Sequence, residues 1–353
     1  MSLLFEPLRL RELNIPNRVW LAPMCQYSAT DGLPNEWHLV HYGARAAGGF
    51  GLIVAEAAAV APEGRITPYD VGLWDDAQVG AWHRVVDFAR AQGAAMGVQL
   101  AHAGRKASTR RPWEPRDGSL KPDEGAWQTY GPSDQPFPGY TAPIGLTTEQ
   151  VAAIPEKFAQ AARRAHEAGF DVVEIHAAHG YLLHQFLSPL TNPRTDEYGG
   201  SARNRARLLL EVAEAIRTRW PDEKPLLVRV SATDWLPEGL TVDDVSLVAA
   251  QLGSRGVDLV DVSSGGLLPA PVETGAGYQV PLAHRLREKA GLPVAAVGLI
   301  TSPQQAEQVL VDQCADAVLI GRPALRDPHW PRRAAHALGV TTSEPPQYER
   351  GLW

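Results

Sequence analysis

His176, His179 and Tyr181 stand three and two residues apart in the stretch Ile175-His176-Ala177-Ala178-His179-Gly180-Tyr181. Two imidazoles and a phenol so spaced can polarise a carbonyl and deliver a proton, and the imidazoles alone can ligate a metal. The apolar run 170–175 before them and the glycine after them predict a buried strand that ends in a polar loop. Zinc catalysis usually adds a third ligand and a general base to two histidines, often as H-E-x-x-H. Here Ala177 and Ala178 fill the intervening places, and the next imidazole, His184, falls in the apolar segment 182–187. From these residues alone, a metal pair, a satisfied core pair and a paired hydrogen-bond donor site all stay open.

The elements that must hold this cluster are legible along the chain. β-like runs recur at 19–23, 51–55, 96–100, 170–176, 226–230, 257–262, 294–297 and 316–320, with helical periodicity between them at 77–92, 148–168, 203–220, 242–255 and 303–311. Thr148, Thr241 and Ser302 are expected helix caps, the last followed by Pro303 at a first-turn position. Strand and helix in alternation imply a parallel sheet, and eight such units favour a closed (β/α)₈ barrel, the TIM-barrel architecture, over an open sheet. A minimal barrel takes roughly 250 residues, which leaves room in 353 for insertions and tails. Residues 108–145, rich in Pro, Trp and Gly, read as a capping excursion after the third strand within one domain spanning 1–353. The Gly- and Pro-rich loop 263–279 is expected to cover the same end.

Barrel chemistry gathers at the C-terminal ends of the strands. Those ends carry Ala22-Pro23-Met24-Cys25-Gln26-Tyr27, Gln99 to Lys106, the His-His-Tyr cluster, Arg229, Gly298 and Gly321-Arg322. Taken singly each has an ordinary alternative: an arginine can be an ion-pair partner, a cysteine a packing residue, and Gly321 a helix start. Together, glycines after the seventh and eighth strands point to a phosphate-bearing cofactor.

Bulk properties narrow the class. A net charge of −7, with no block of Lys and Arg, argues against a nucleic-acid surface. The longest apolar stretches are too short to cross a bilayer, and the first residues lack a basic n-region and a long apolar h-region. Two cysteines, Cys25 and Cys314, cannot build a disulfide framework, so a cytoplasmic enzyme is expected.

The ordered motifs around Ala22–Cys25, Gln99–Arg105 and His176–Tyr181, with Arg194-Thr195-Asp196-Glu197-Tyr198-Gly199-Gly200-Ser201 and residues 315–322, resemble the old yellow enzyme family of FMN-dependent ene-reductases. Cys25 and the C-terminal Gln347-Tyr348-Glu349-Arg350-Gly351 resemble its thermophilic-like bacterial subgroup, which includes NADPH dehydrogenases and xenobiotic reductases. The resemblance runs from about residue 4 to about residue 350.

The resemblance implies non-covalent FMN, with Ala22, Pro23, Met24, Cys25 and Ala57 along one side of the flavin. Gln99 then meets the pyrimidine edge, Arg229 lies near N1 and the C2 oxygen, and Gly298, Gly321 and Arg322 hold the phosphate. It also implies that NAD(P)H, with NADPH favoured, is the reductant for small α,β-unsaturated carbonyl substrates. Hydride passes from flavin N5 to the β-carbon, His176 and His179 bind the carbonyl oxygen, and Tyr181 protonates the α-carbon. Cys25 is expected to tune the flavin and Tyr27 to touch substrate. The tail 337–353 is expected to carry Arg350 into a neighbouring protomer's site, which implies a homodimer or homotetramer. Against this stand a metal-dependent hydrolase barrel using the same histidines and an FMN-binding barrel without turnover. A dienoyl-CoA reductase with a four-cysteine cluster is excluded by the cysteine count.

Overall fold

A computed structural model describes residues 2–114 and 118–351; residues 115–117 of the expected excursion and 352–353 of the expected tail lie outside the described residues. Eight parallel strands close into a barrel: β1 (Val19–Leu21), β2 (Leu52–Ala59), β3 (Ala95–Ala101), β4 (Val172–Ala177), β5 (Leu226–Ser231), β6 (Leu259–Ser263), β7 (Val294–Ala296) and β8 (Ala317–Ile320). Each pairs with the next in sequence, and β8 returns to β1. The strands are buried on both faces, which is why they read as nearly unbroken apolar runs rather than alternating ones.

Helices α1 (Glu36–Ala47), α2 (Ala77–Ala91), α3 (Ile154–Glu167), α4 (Ala202–Arg217), α5 (Val242–Gly253), α6 (Val280–Ala290), α7 (Pro303–Val311) and α8 (Trp330–Ala337) surround the barrel. Thr241 and Ser302 cap α5 and α7, accepting from the amides of Asp244 and Gln305. The expected cap at Thr148 falls one residue earlier. Thr147 accepts from the Gln150 amide and opens the short helix Thr148–Ala152, while the Thr148 hydroxyl donates to Asp196. Ala153 then separates that helix from α3. Helices α1, α6 and α8, absent from the sequence expectation, complete the ring.

The two ends of the barrel differ. At the N-terminal end a hairpin, Leu8–Leu10 with Leu13–Ile15, drives Leu10 and Ile15 into the interior against Trp20, Leu52, Leu227, Leu259 and Leu319. This apolar plug closes the bottom and makes it a packed core. At the other end residues 108–114 and 118–145 fold over the strand ends, tied by a Thr109–Ser119 bridge and a short pairing of Tyr130–Gly131 with Ile144–Gly145. Buried Arg105 fastens this cover by donating to the carbonyls of Gln135, Pro136 and Leu267. The Arg194–Ser201 motif serves the same purpose: Arg194 pairs with Asp196 and donates to the Pro132 carbonyl.

Candidate active site

Above the apolar plug the inward positions turn polar. Strand alternation puts Gln99, Glu174, Arg229 and Asp261 on the inner face of β3 to β6, in register as Gln99 with Glu174 and Arg229 with Asp261. Gln99 Nε2 donates to Glu174 Oε1 at 2.8 Å, and Arg229 Nε lies 3.1 Å from Asp261 Oδ2. Burial raises Glu174 to about 8, helped by Asp261 and opposed by Arg229. Asp261 is raised to about 6 by burial, again against the pull of Arg229. Glu174 Oε2, Arg229 Nε and both Asp261 oxygens lack a hydrogen-bond partner. Buried polar atoms without partners are costly, so this cluster is poised for a further polar group.

A register shift shapes the neighbouring wall. Between Ala55 and Ala57, β2 carries one residue more than β3, so Ala57 rather than Glu56 meets Gln99. The bulge re-aims Glu56, which accepts from the Gln26 amide at 2.7 Å and from the Tyr42 hydroxyl at 3.0 Å. The loop carrying Met24 and Cys25 is thereby anchored from behind. Cys25 is half-buried; desolvation and then the charges of Asp70 and Glu56 push its thiol up, and Tyr27 is its hydrogen-bonding neighbour. A thiol so shifted is a poor nucleophile at neutral pH.

The two histidines and the tyrosine meet as the sequence spacing suggested. The His176 ring lies 5.3 Å from that of His179 and 5.0 Å from that of Tyr181, each in edge contact. Desolvation, reinforced by Arg229, holds both histidines well below their ordinary value. Both are therefore neutral at pH 7, with one N–H apiece. Burial holds the Tyr181 phenol well above its usual value, so it keeps its proton. Tyr181, like Cys25, Tyr27 and Trp127, packs against the cluster of Ile66, Ala103 and Ala107, and it lines a cavity of about 270 Å³ under the excursion.

A second cavity of about 270 Å³ runs from Arg229 to Gly298, Gly321, Arg322 and Arg326. Gly298 has φ +114, and a Cβ there would sit 2.7 Å from Gln279 Nε2. At Gly321 a Cβ would meet only Met24 Sδ, at 3.8 Å, so the Met24 loop borders this cavity. Arg229, Gly298, Gly321 and Arg322 thus line one polar rim, which Met24 borders at Gly321, while Ala57 and Gln99 are register partners on neighbouring strands. Arg350 is not brought to it: it sits exposed in the turn Pro346–Gly351, which is tied down by Tyr348 against His329.

The metal reading loses its third ligand. His184 is fully buried, with one nitrogen on Asp234 and the other on the Gly180 amide. Among the described residues, no group of three or more His, Cys, Asp or Glu side chains is placed to hold a metal ion. Sequence reasoning missed Glu56, Glu174, Asp261 and Asp234. For Glu174 and Asp261 the available signal was a carboxylate inside an otherwise apolar strand, as in Val172-Val173-Glu174-Ile175 and Leu259-Val260-Asp261-Val262.

Residues 3–340 match the NADH:flavin oxidoreductase / NADH oxidase family. The chain is 47% identical to an NADPH dehydrogenase of Geobacillus thermodenitrificans (strain NG80-2), over 99% of this chain and 98% of that protein. It superposes on morphinone reductase in complex with tetrahydroNAD with a TM-score of 0.80 at 32% identity, covering 98% of this chain and 93% of that one. An old yellow enzyme homologue from Zymomonas mobilis aligns with a TM-score of 0.80 at 28% identity, covering 98% and 97%.

Proposed function

The chain belongs to the NADH:flavin oxidoreductase / NADH oxidase family and is an oxidoreductase, and from that premise we propose that it is an FMN-dependent ene-reductase. Its substrates are small α,β-unsaturated carbonyl compounds, and its reductant is NAD(P)H, with NADPH favoured by the name of the Geobacillus relative. The observation that carries this reading is the edge-on cluster of His176, His179 and Tyr181, all uncharged at neutral pH, beside the polar rim.

The rim suits FMN chemically. Arg229 pairs with Asp261 through Nε but makes no hydrogen bond there, Gln99 has a carboxamide fixed by Glu174, and Arg322 and Arg326 line a cavity together with Gly298 and Gly321. A guanidinium beside a pyrimidine edge stabilises the negative charge of a reduced isoalloxazine, and two arginines and glycine amides match a phosphate. When bound, FMN supplies the hydride chemistry that links NAD(P)H to the alkene.

The remaining work falls to side chains. His176 Nδ1 accepts weakly from the Ala178 amide at 3.4 Å, which leaves Nε2–H as the donor to a carbonyl oxygen. His179 Nε2 lies 2.8 Å from Ser263 Oγ; with the serine hydroxyl donating, Nδ1–H becomes the second donor. Two neutral donors on one oxygen draw electron density from the alkene and hold the enolate formed as hydride arrives. Tyr181, still protonated, gives its proton to the α-carbon and recovers it from solvent. Cys25, with its thiol protonated, packs against the cofactor, and Tyr27 contacts substrate. Arg350, in the exposed C-terminal turn, reaches the site of a second copy of the chain.

Purified protein should show flavin absorbance, bleach anaerobically with NADPH, and regain its colour with 2-cyclohexenone. Absence of bound flavin would support the hydrolase alternative. Bound flavin that NADPH reduces but no enone reoxidises would contradict ene reduction.

A further inference from the structure

Residues 178–181 place the functional side chains, and their conformation is unusual. His179 and Gly180 are consecutive left-handed residues, with φ +57 and φ +74. A non-glycine residue there is strained and persists only where its surroundings over-determine it. Here they do. The His179 amide donates to Ser231 Oγ at 2.9 Å, and its carbonyl accepts from Lys106 Nζ at 2.9 Å. The Gly180 carbonyl accepts from Gln185 Nε2 at 2.8 Å, and the Gly180 amide donates to His184 Nδ1 at 2.9 Å.

The last of these bonds has a distant control. His184 and Asp234 are both fully buried, and His184 Nε2 lies 2.8 Å from Asp234 Oδ1. Asp234 Oδ2 accepts from Ser188 Oγ at 2.7 Å and from the Leu240 amide at 2.8 Å. Desolvation alone would raise Asp234, but hydrogen bonds led by that from His184 outweigh it and hold the carboxyl below its usual value. A carboxylate on Nε2 requires the proton there, and that leaves Nδ1 bare to accept from Gly180. The pair has the form of an Asp–His catalytic relay, yet both ring nitrogens are spent inside the protein.

We propose that Asp234 and His184 are positioning residues: Asp234 fixes the His184 tautomer, and His184 Nδ1 sets the backbone of Gly180 and so the placement of His179 and Tyr181 on either side of it. The inference rests on the proton-donor reading of Tyr181 given above.

Asp234→Asn separates this role from packing, because it is isosteric. Its single carboxamide oxygen cannot serve both His184 Nε2–H and the Leu240 amide. In one orientation the new NH₂ faces His184 and drives the ring to the Nδ1–H tautomer, donor against donor at Gly180. In the other it opposes the Leu240 amide and denies the Ser188 hydroxyl its acceptor, two bonds lost against one, so the first orientation prevails. The assay uses FMN-loaded enzyme reduced anaerobically, with reoxidation followed for 2-cyclohexenone and for a quinone, whose oxygens take protons from solvent. For Asp234→Asn, the enone rate constant should fall at least tenfold further than the quinone rate constant, as it should for Tyr181→Phe. Selective loss in Tyr181→Phe but equal or no loss in Asp234→Asn overturns the positioning role. No selective loss in Tyr181→Phe places the failure in the proton-donor reading. In that case, histidine-ring ¹⁵N NMR of the unaltered holoenzyme, with the His184 signal assigned through His184→Leu, still decides the arrangement. A bare Nδ1 with protonated Nε2 at pH 7 supports it, and an Nδ1–H ring or an imidazolium overturns it.

Discussion

Replacing Arg229 by methionine should make the stability of this protein depend on pH in a calculable way. The guanidinium sits 3.1 Å from Asp261 and lowers both Asp261 and Glu174 within a buried cluster. In the unaltered protein burial raises Asp261 to about 6, against about 3.9 in an unfolded chain. The native state therefore holds its proton longer, and stability falls as pH rises from about 4 to about 6. Above that, Asp261 is ionised in both states and its own contribution stops, while Glu174, raised to about 8, goes on lowering stability in parent and variant alike. In Arg229→Met nothing charged opposes desolvation, so Asp261 stays neutral and the fall continues by about 1.4 kcal/mol per pH unit. Relative to its value at pH 6, the stability gap between variant and parent should widen by about 3 kcal/mol by pH 8, and Glu174 widens it further only above that. An unfolding entropy of about 2.1 cal/mol/K per residue over 353 residues turns that into a melting difference of about 4 °C. Thermal melts of flavin-free protein between pH 5.5 and 8 measure it without cofactor binding entering. A difference that is constant with pH, or that shrinks as pH rises, would refute the buried Arg–carboxylate account.

Gly298→Ala must push Gln279 aside from a left-handed position and should weaken FMN binding about tenfold or more in a fluorescence titration, with little loss of secondary structure. Replacing both His176 and His179 by alanine should weaken phenolic ligands, whose oxygen mimics the enolate, by about 10- to 100-fold. That corresponds to roughly 1.5–3 kcal/mol of lost charge-assisted hydrogen bonds; unchanged affinity by difference spectroscopy would remove the oxyanion role. Truncation before Tyr348 should raise KM for enones while leaving bound FMN in place, and an unaltered KM would show that Arg350 does not reach a second copy's site.

All eight barrel strands were legible because a parallel strand buried on both faces leaves a long apolar run, bounded here by Gly, Pro or a polar loop. The hairpin at 8–15 escaped notice because its two strands have three residues each, too short for any periodicity. Helix α1 mixes Trp, His, Tyr and Gly over Glu36–Ala47, so its helical pattern is weak even though its Asn35 cap is well formed. Thr147 and Thr148 are adjacent and equally suited to cap, and only the backbone geometry separates them. The histidines and Tyr181 could be singled out because polar side chains at a strand end are conspicuous. Glu56 could not, since its direction depends on a one-residue register shift that leaves no mark in composition. Asp234 and His184 were equally hidden, because a pairing between residues 50 apart in sequence exists only once the chain has folded.

The division of labour among His176, His179 and Tyr181 is tested most directly by comparing two half-reactions of Tyr181→Phe with those of the unaltered enzyme in an anaerobic stopped flow. Loss of the hydroxyl leaves the ring packed against His176 and removes only the proton donor, so reduction of the bound flavin by NADPH should change by less than about threefold. Reoxidation by 2-cyclohexenone should slow by about 10²- to 10⁴-fold, the range of general-acid contributions. Equal slowing of both steps, or none of either, would contradict the assignment.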